Sequence, residues 1–259
     1  MSSQSRDNAV TPGQSVSRSN LPAPQVQDFR SALRDAMREK DDQGRAWGSA
    51  QWGVYAFFDY DGEPIYVGQT NEKLSGRVGR HLTNQRTDAV AMRILDPFEV
   101  AEVELWPLWD LQGRRDAPAK AILNAAEHAA YRQAIANSRF KAILNEKVPP
   151  GGQTFELPAS RRFMLASPEV RAERGHPDVR IARRAENLAR LAAVAHERGS
   201  VTNGLRRVLV IQAVRLAYLS AVRLAVAEGR PEPDPDAISM EALIGPMIFG
   251  PDDDTDELD

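Results

Sequence analysis

The segment 53-GVYAFFDYDGEPIYVGQTNEKLSGRVGRH-81 decides the reading of this chain. Two short apolar runs, GVYAFF and PIYVG, flank the turn formers Asp59, Asp61 and Gly62. Val, Tyr and Phe favour a pleated surface, so residues 52–59 and 64–69 are expected as two antiparallel strands joined by a tight turn. After Thr70 the period changes. Leu74, Val78 and Leu82 fall four apart and mark one apolar helix face, while Arg77 and His81 stack one turn apart on an adjacent face. Each strand holds a tyrosine beside a glycine, Gly53 with Tyr55 and Tyr66 with Gly68. Cross-strand aromatic packing alone would explain such tyrosines.

Working outward, a helix is expected from about Val26, with Phe29, Leu33 and Met37 on one face, ending at the polar segment 39–45. Downstream, Thr87 and Asp88 cap a short helix over 89–95, which Asp96 and Pro97 stop. Residues 98–108 read as a third strand that ends or reaches an edge at Pro107. Asp116 and Pro118 start a helix running to about residue 136. On it Leu123, Glu127 and Tyr131 share a stripe, leaving a carboxylate among apolar neighbours. Such a group needs a cation, a metal or a donor, and a plain ion pair with an arginine would serve. A short helix is expected over 138–144. PPGG at 149–152 is a strong breaker and the expected domain boundary.

Residues 160–230 differ in character. They hold fourteen arginines, no lysine and six acidic residues, with helical periodicity throughout. Two long helices are expected, 179–199 and 202–229, the second apolar on more than one side and suited to a hairpin core or a dimer contact. From residue 231 onward ten acidic residues stand with no Lys or Arg, so the first 230 residues carry 33 basic groups against 26 acidic. A basic body with an acidic tail suits a phosphate-rich partner, although both sets of charges could simply solvate surfaces. The expected organisation is a disordered segment 1–24, a domain 25–152, an Arg-rich helical region 153–230 for DNA grip or dimerisation, and an acidic, partly disordered tail 231–259. The absence of cysteine excludes disulfides and thiolate metal sites. No run of eighteen apolar residues and no secretory-type leader stand in the sequence, so no membrane partner is expected and a cytoplasmic location is.

Walker-type, GxGxxG, HExxH and cysteine-pair motifs are missing, and the four histidines show no ligand spacing. What remains is Tyr55, Tyr66, Arg77, His81 and Glu127, and this set resembles the GIY-YIG nuclease family. GVY at 53–55 matches the first half of the family signature and YVG at 66–68 the second; Arg77, Glu127 and Asn145 stand where the family has its arginine, glutamate and asparagine. The eighteen residues from Glu127 to Asn145 exceed the usual gap. Residues 137–142 would then be an insertion, and Asn137 is the alternative asparagine. The pattern Arg77-x-x-x-His81 looks most like the branch holding type II restriction endonucleases.

The resemblance covers about residues 50–150. It implies an α+β fold with a three-stranded antiparallel sheet flanked by helices, followed here by a mainly helical C-terminal region. It further implies a DNA endonuclease that holds Mg²⁺ or Mn²⁺ on Glu127, acts as a homodimer on palindromic double-stranded DNA, and has a DNA methyltransferase as genetic partner. By resemblance Tyr55 is the general base and Tyr66 positions water or phosphate. Arg77 offers a fixed fork of donors to phosphate oxygens. A free tyrosine has a pKa of about 10, so Tyr55 needs nearby cations or must pass its proton on. His81, ordinarily near 6.5, could take it. Repair, recombination or phage defence are alternative tasks for the same domain, and a catalytically silent DNA-binding or assembly module is a third reading.

Overall fold

The computed structural model of the chain describes residues 22–83, 94–151 and 153–247. The expected helix over 89–95 falls almost wholly outside these residues, as do most of 1–24 and the acidic end. Helix α1 (Pro24–Arg38) buries Phe29, Leu33, Ala36 and Met37. Strands β1 (Gly53–Phe58) and β2 (Pro64–Thr70) form the hairpin, and α2 (Leu74–Thr83) follows, burying Leu74, Val78 and Leu82 as their spacing predicts. In the turn, Asp59 Oδ1 accepts the backbone N–H of Asp61 and of Glu63, and Gly62 takes φ +73°. That carboxylate mimics a backbone turn, and only glycine enters the left-handed region without strain.

Strand β3 (Glu102–Pro107) pairs with β1 and ends at the expected proline. Asp116 caps α3 (Ala117–Asn137) by accepting from Ala119 N at 2.8 Å, with Pro118 in the first turn. The alanines at 126, 130 and 134 are buried along α3, and small side chains there let the helix pack closely.

The sheet has four antiparallel strands in the order β2-β1-β3-β4, not the three expected. The fourth, β4 (Arg161–Met164), comes from beyond the PPGG breaker and pairs with β3. Its RRFM sequence escaped the reading because only Phe163 is buried; alternation needs apolar partners to be visible. Arg162 lies over the Phe58 ring at 3.6 Å and pairs with Glu104 at 2.9 Å. Charged residues of this kind suit an edge strand.

The expected helix over 138–144 is absent. Ser138 ends α3, and Lys141 takes φ +50°, which helical propagation forbids. The segment instead runs along β2 and satisfies its free edge, with Leu144 N donating to Ile65 O at 2.8 Å.

Beyond β4 come α4 (Pro168–Arg174), α5 (Pro177–Arg198), α6 (Asn203–Glu228) and a short α7 (Met240–Ile244). Helix α6 is the one described helix long and apolar enough to cross a membrane. It is a core helix here: Leu205, Val208, Ile211 and Val214 are buried, and mid-helix Arg215 is buried on Asp59. Helices α5 and α6 pack as an antiparallel pair, joined through Gly199, and Thr202 caps α6.

Three arginines of that pair reach back to the hairpin turn. Arg180, Arg184 and Arg215 all donate to Asp59 Oδ2, at 3.1, 2.9 and 2.8 Å. Burial raises the Asp59 pKa, yet the three guanidinium groups outweigh it and hold the carboxyl below its usual range. Arg180 adds Asp61 at 2.7 Å and Arg184 adds Glu99 at 3.0 Å. These three basic side chains are therefore spent inside the molecule.

Candidate active site

Cross-strand partners share a face of a sheet, and the register pairs Tyr55 with Gly68 and Phe57 with Tyr66. Tyr55, Phe57 and Tyr66 thus stand together on one face. Gly68 makes this possible: a Cβ there would lie 2.6 Å from the Tyr55 hydroxyl oxygen and 3.0 Å from the Tyr66 ring. Gly53 does the same for the helix, since its Cβ would meet Leu74 at 2.8 Å. Glycine in both tripeptides is a packing requirement of the tyrosines and of α2.

Helix α2 lays His81 against this face. The Tyr55 hydroxyl is 3.2 Å from His81 Nδ1. The His81 ring stands edge-on to Tyr66 and to Phe57, with centroids 4.7 and 5.3 Å apart. Tyr66 and Phe57 stack at 5.9 Å. Arg77, one turn before His81, interacts with Tyr55 by charge and hydrogen bond and with Tyr66 by charge. Burial works to lower its pKa, but those contacts and Glu72 leave it raised, so it remains a cation. Its Nε is buried and has no hydrogen-bond partner among the described residues. Tyr55 has no exposed surface, whereas Tyr66, Arg77 and His81 are half-buried.

Glu127 projects from α3 toward the same cluster. Burial pushes its pKa up to about 7, while Arg77 and a hydrogen bond from Gln69 pull the other way. The neighbours Leu123 and Tyr131 are buried, as the apolar stripe implied. His128, one residue on, turns away, its Nδ1 lying 3.3 Å from Pro149 O.

Asn145 is not gathered with the others around Tyr55. Its amide sits on the outer edge of β2, where Oδ1 accepts Val67 N at 3.0 Å and Nδ2 donates to Val67 O at 2.8 Å. It is buried and pins the backbone between Tyr66 and Gly68. Asn137, the alternative, ends α3 and is exposed.

Three neighbours escaped the sequence reading. Phe57 is the platform for Tyr66 and His81; Gln69 and Asn124 bind each other at 3.1 Å beside Glu127. A signal existed for the last two, since Gln69 is polar within an apolar strand and Asn124 lies three residues before Glu127.

Among the described residues no three His, Asp or Glu side chains converge on a metal position. A divalent ion would have Glu127 as its one protein carboxylate, and the surroundings fit it. The carboxylate is destabilised by burial and faced by Arg77 as its cation, and Gln69 Oε1 nearby is a buried acceptor without a partner. A hydrated Mg²⁺ brings both positive charge and donors, and it binds through few protein oxygens.

Fold and site together define an α+β protein built on a hairpin with paired tyrosines, a helix-borne Arg and His, and a lone carboxylate. Residues 51–115 match the family model of the GIY-YIG catalytic domain, the unit of nucleases that hydrolyse phosphodiester bonds and generally depend on a divalent metal. The matched stretch carries Tyr55, Tyr66, Arg77 and His81, while Glu127 and Asn145 fall beyond it. No curated protein and no solved structure matches the chain.

Proposed function

We propose that the chain is a metal-dependent DNA endonuclease, and specifically a type II restriction enzyme acting as a homodimer on a palindromic site. One observation carries the reading. The Tyr55–His81 hydrogen bond is flanked by Arg77 and Tyr66, and Arg77 also faces the Glu127 carboxylate.

Phosphodiester hydrolysis needs a deprotonated water, neutralisation of the anionic phosphorus centre and help for the departing oxyanion. A divalent ion on Glu127, when bound, supplies Lewis acidity toward phosphate and leaving oxygen. Arg77 stays charged and offers its guanidinium to the non-bridging phosphate oxygens. Tyr55 is buried, and its hydroxyl has His81 and Arg77 among its partners. Substrate binding must bring the water to this buried oxygen; as the phenol oxygen takes the water's proton, its own passes along the 3.2 Å contact to His81 Nδ1. Tyr66, half-buried and stacked on Phe57, orders the water or phosphate. Asn145 serves the site indirectly, by fixing the β2 backbone on which Tyr66 and Gly68 ride.

A dimer follows from one ion and one nucleophile per chain, which cut one strand. Ala213, Ala217, Ala221 and Leu224 form an exposed stripe along α6, a face that a second copy would cover. The Arg77-x-x-x-His81 arrangement favours restriction over repair, recombination or other defence roles, and a methyltransferase encoded nearby is expected. The test is plasmid cleavage by wild type and Glu127→Ala in Mg²⁺ and in EDTA. Discrete fragments that require the metal and vanish in the variant support the enzyme. Equal cutting by the variant, or no metal-dependent cutting by wild type, overturns it. Discrete fragments blocked by prior methylation of the plasmid support restriction, and structure-dependent nicking opposes it.

A further inference from the structure

Gln69 follows directly on the Tyr66–Gly68 tripeptide, and its amide is used asymmetrically. Nε2 donates to Asn124 Oδ1 at 3.1 Å and the amide also hydrogen-bonds the Glu127 carboxylate. The ionised Glu127 carboxylate takes only N–H, so the amide cannot be turned over without losing that bond. Its Oε1 is left buried with no partner. A buried acceptor without a donor costs stability, and folded proteins keep few of them. Asn124 and Glu127 are three apart on α3 and so share a helix face, which makes Gln69, Asn124 and Glu127 one connected polar group between β2 and the helix.

We propose that Gln69 is a positioning residue for the divalent-ion site: its N–H group orients Glu127, and its Oε1 accepts a hydrogen from water in the ion's hydration shell, with Asn124 fixing the amide. The inference rests on the reading of Glu127 as the ion's ligand. A tie that merely joined strand to helix would need no further partner for Oε1. It would also be indifferent to metal.

The experiment is titration of the purified full chain with Mn²⁺, without DNA, following free Mn²⁺ by its paramagnetic resonance signal. Glu127→Gln is expected to abolish site binding. Gln69→Leu, close in volume but lacking both amide atoms, is expected to weaken it by about tenfold, the size of effect typical of outer-shell partners. If Gln69→Leu lacks a cooperative thermal transition, Gln69→Asn carries the test, since the same amide one methylene short misses both Glu127 and the water. Rescue is read from Gln69→Glu, whose carboxylate oxygen restores an acceptor and is expected to bind Mn²⁺ more tightly than Gln69→Leu. If Glu127→Gln loses the ion while Gln69→Leu and Gln69→Asn bind it as wild type does, the role of Gln69 is overturned alone. If Glu127→Gln also binds as wild type, the metal reading of Glu127 falls and this inference with it.

Discussion

The two ends of the β1–β2 hairpin hold carboxylates that differ in almost every respect. Asp59, at the turn, accepts five hydrogen bonds, two from turn N–H groups and three from guanidinium groups. Its pKa is lowered although it is fully buried. Glu127, against the tyrosine end, has Arg77 and one amide, keeps some exposure, and titrates at about 7. Burial acts on both; the number of cations decides the outcome. An acid surrounded by more cations than it needs is a staple. An acid with too few leaves room for something to arrive.

Removing the charge at each end should separate these roles. Glu127→Gln is expected to reduce Mg²⁺-dependent cleavage on the order of a thousandfold, equal to about 4 kcal/mol of barrier. The same variant should melt no lower than wild type. A loss of cleavage accompanied by a large drop in melting temperature would make Glu127 structural and erase the contrast. Asp59→Asn should do the reverse, destabilising the fold by about 3 kcal/mol because three buried guanidinium groups lose their shared anion. Denaturant unfolding measures it. A variant as stable as wild type would show that the arginines do not hold the hairpin.

How much of this contrast was legible beforehand follows from its physics. The hairpin and the α2 face were readable because period and turn chemistry are local, and the tyrosine pair, Arg77, His81 and Glu127 could be named as a site through the family resemblance that their order and spacing carry. Asp59 was read only as a turn former, because its partners Arg180, Arg184 and Arg215 lie more than a hundred residues away and nothing local distinguishes them from solvated arginines. Strand β4 was hidden because its one buried residue, Phe163, gives no alternation. Residues 138–144 misled for the opposite reason. Their composition tolerates a helix, but the open edge of β2 offers the backbone a better use, through Leu144 and Asn145.

The two acids should also respond oppositely to pH. Glu127 has a folded pKa of about 7, above its usual value of about 4.5, so the folded state binds its proton more tightly. Its contribution to metal-free stability is present at low pH and lost as pH rises through about 7. Asp59, lowered on folding, contributes above the unfolded carboxylate range and loses that contribution as pH falls. Comparing wild type with Glu127→Gln in EDTA, the variant should gain about 2 kcal/mol relative to wild type between pH 5 and pH 8, allowing for partial exposure. A constant difference across that range would mean that Glu127 is not strained by burial, and the case for an ion waiting to neutralise it would weaken.

The arginines of the C-terminal helices give the smallest and most discriminating test, because one residue type has two fates there. Arg215 is buried on Asp59, whereas Arg206 on the same helix is exposed. If exposed arginines of this region grip DNA, Arg206→Ala should weaken duplex binding a few-fold and reduce the slope of log K against log salt by up to about one, while leaving the melting temperature unchanged. Arg215→Ala should instead unfold the protein at lower denaturant, and its DNA affinity, measured where it is still folded, should keep the wild-type salt slope. Fluorescence anisotropy on a labelled duplex between low and moderate salt reads both. If Arg206→Ala leaves the slope untouched, this exposed arginine takes no part in DNA grip. Since Arg180, Arg184 and Arg215 are already committed to the hairpin, the case that these helices grip phosphate would then weaken accordingly.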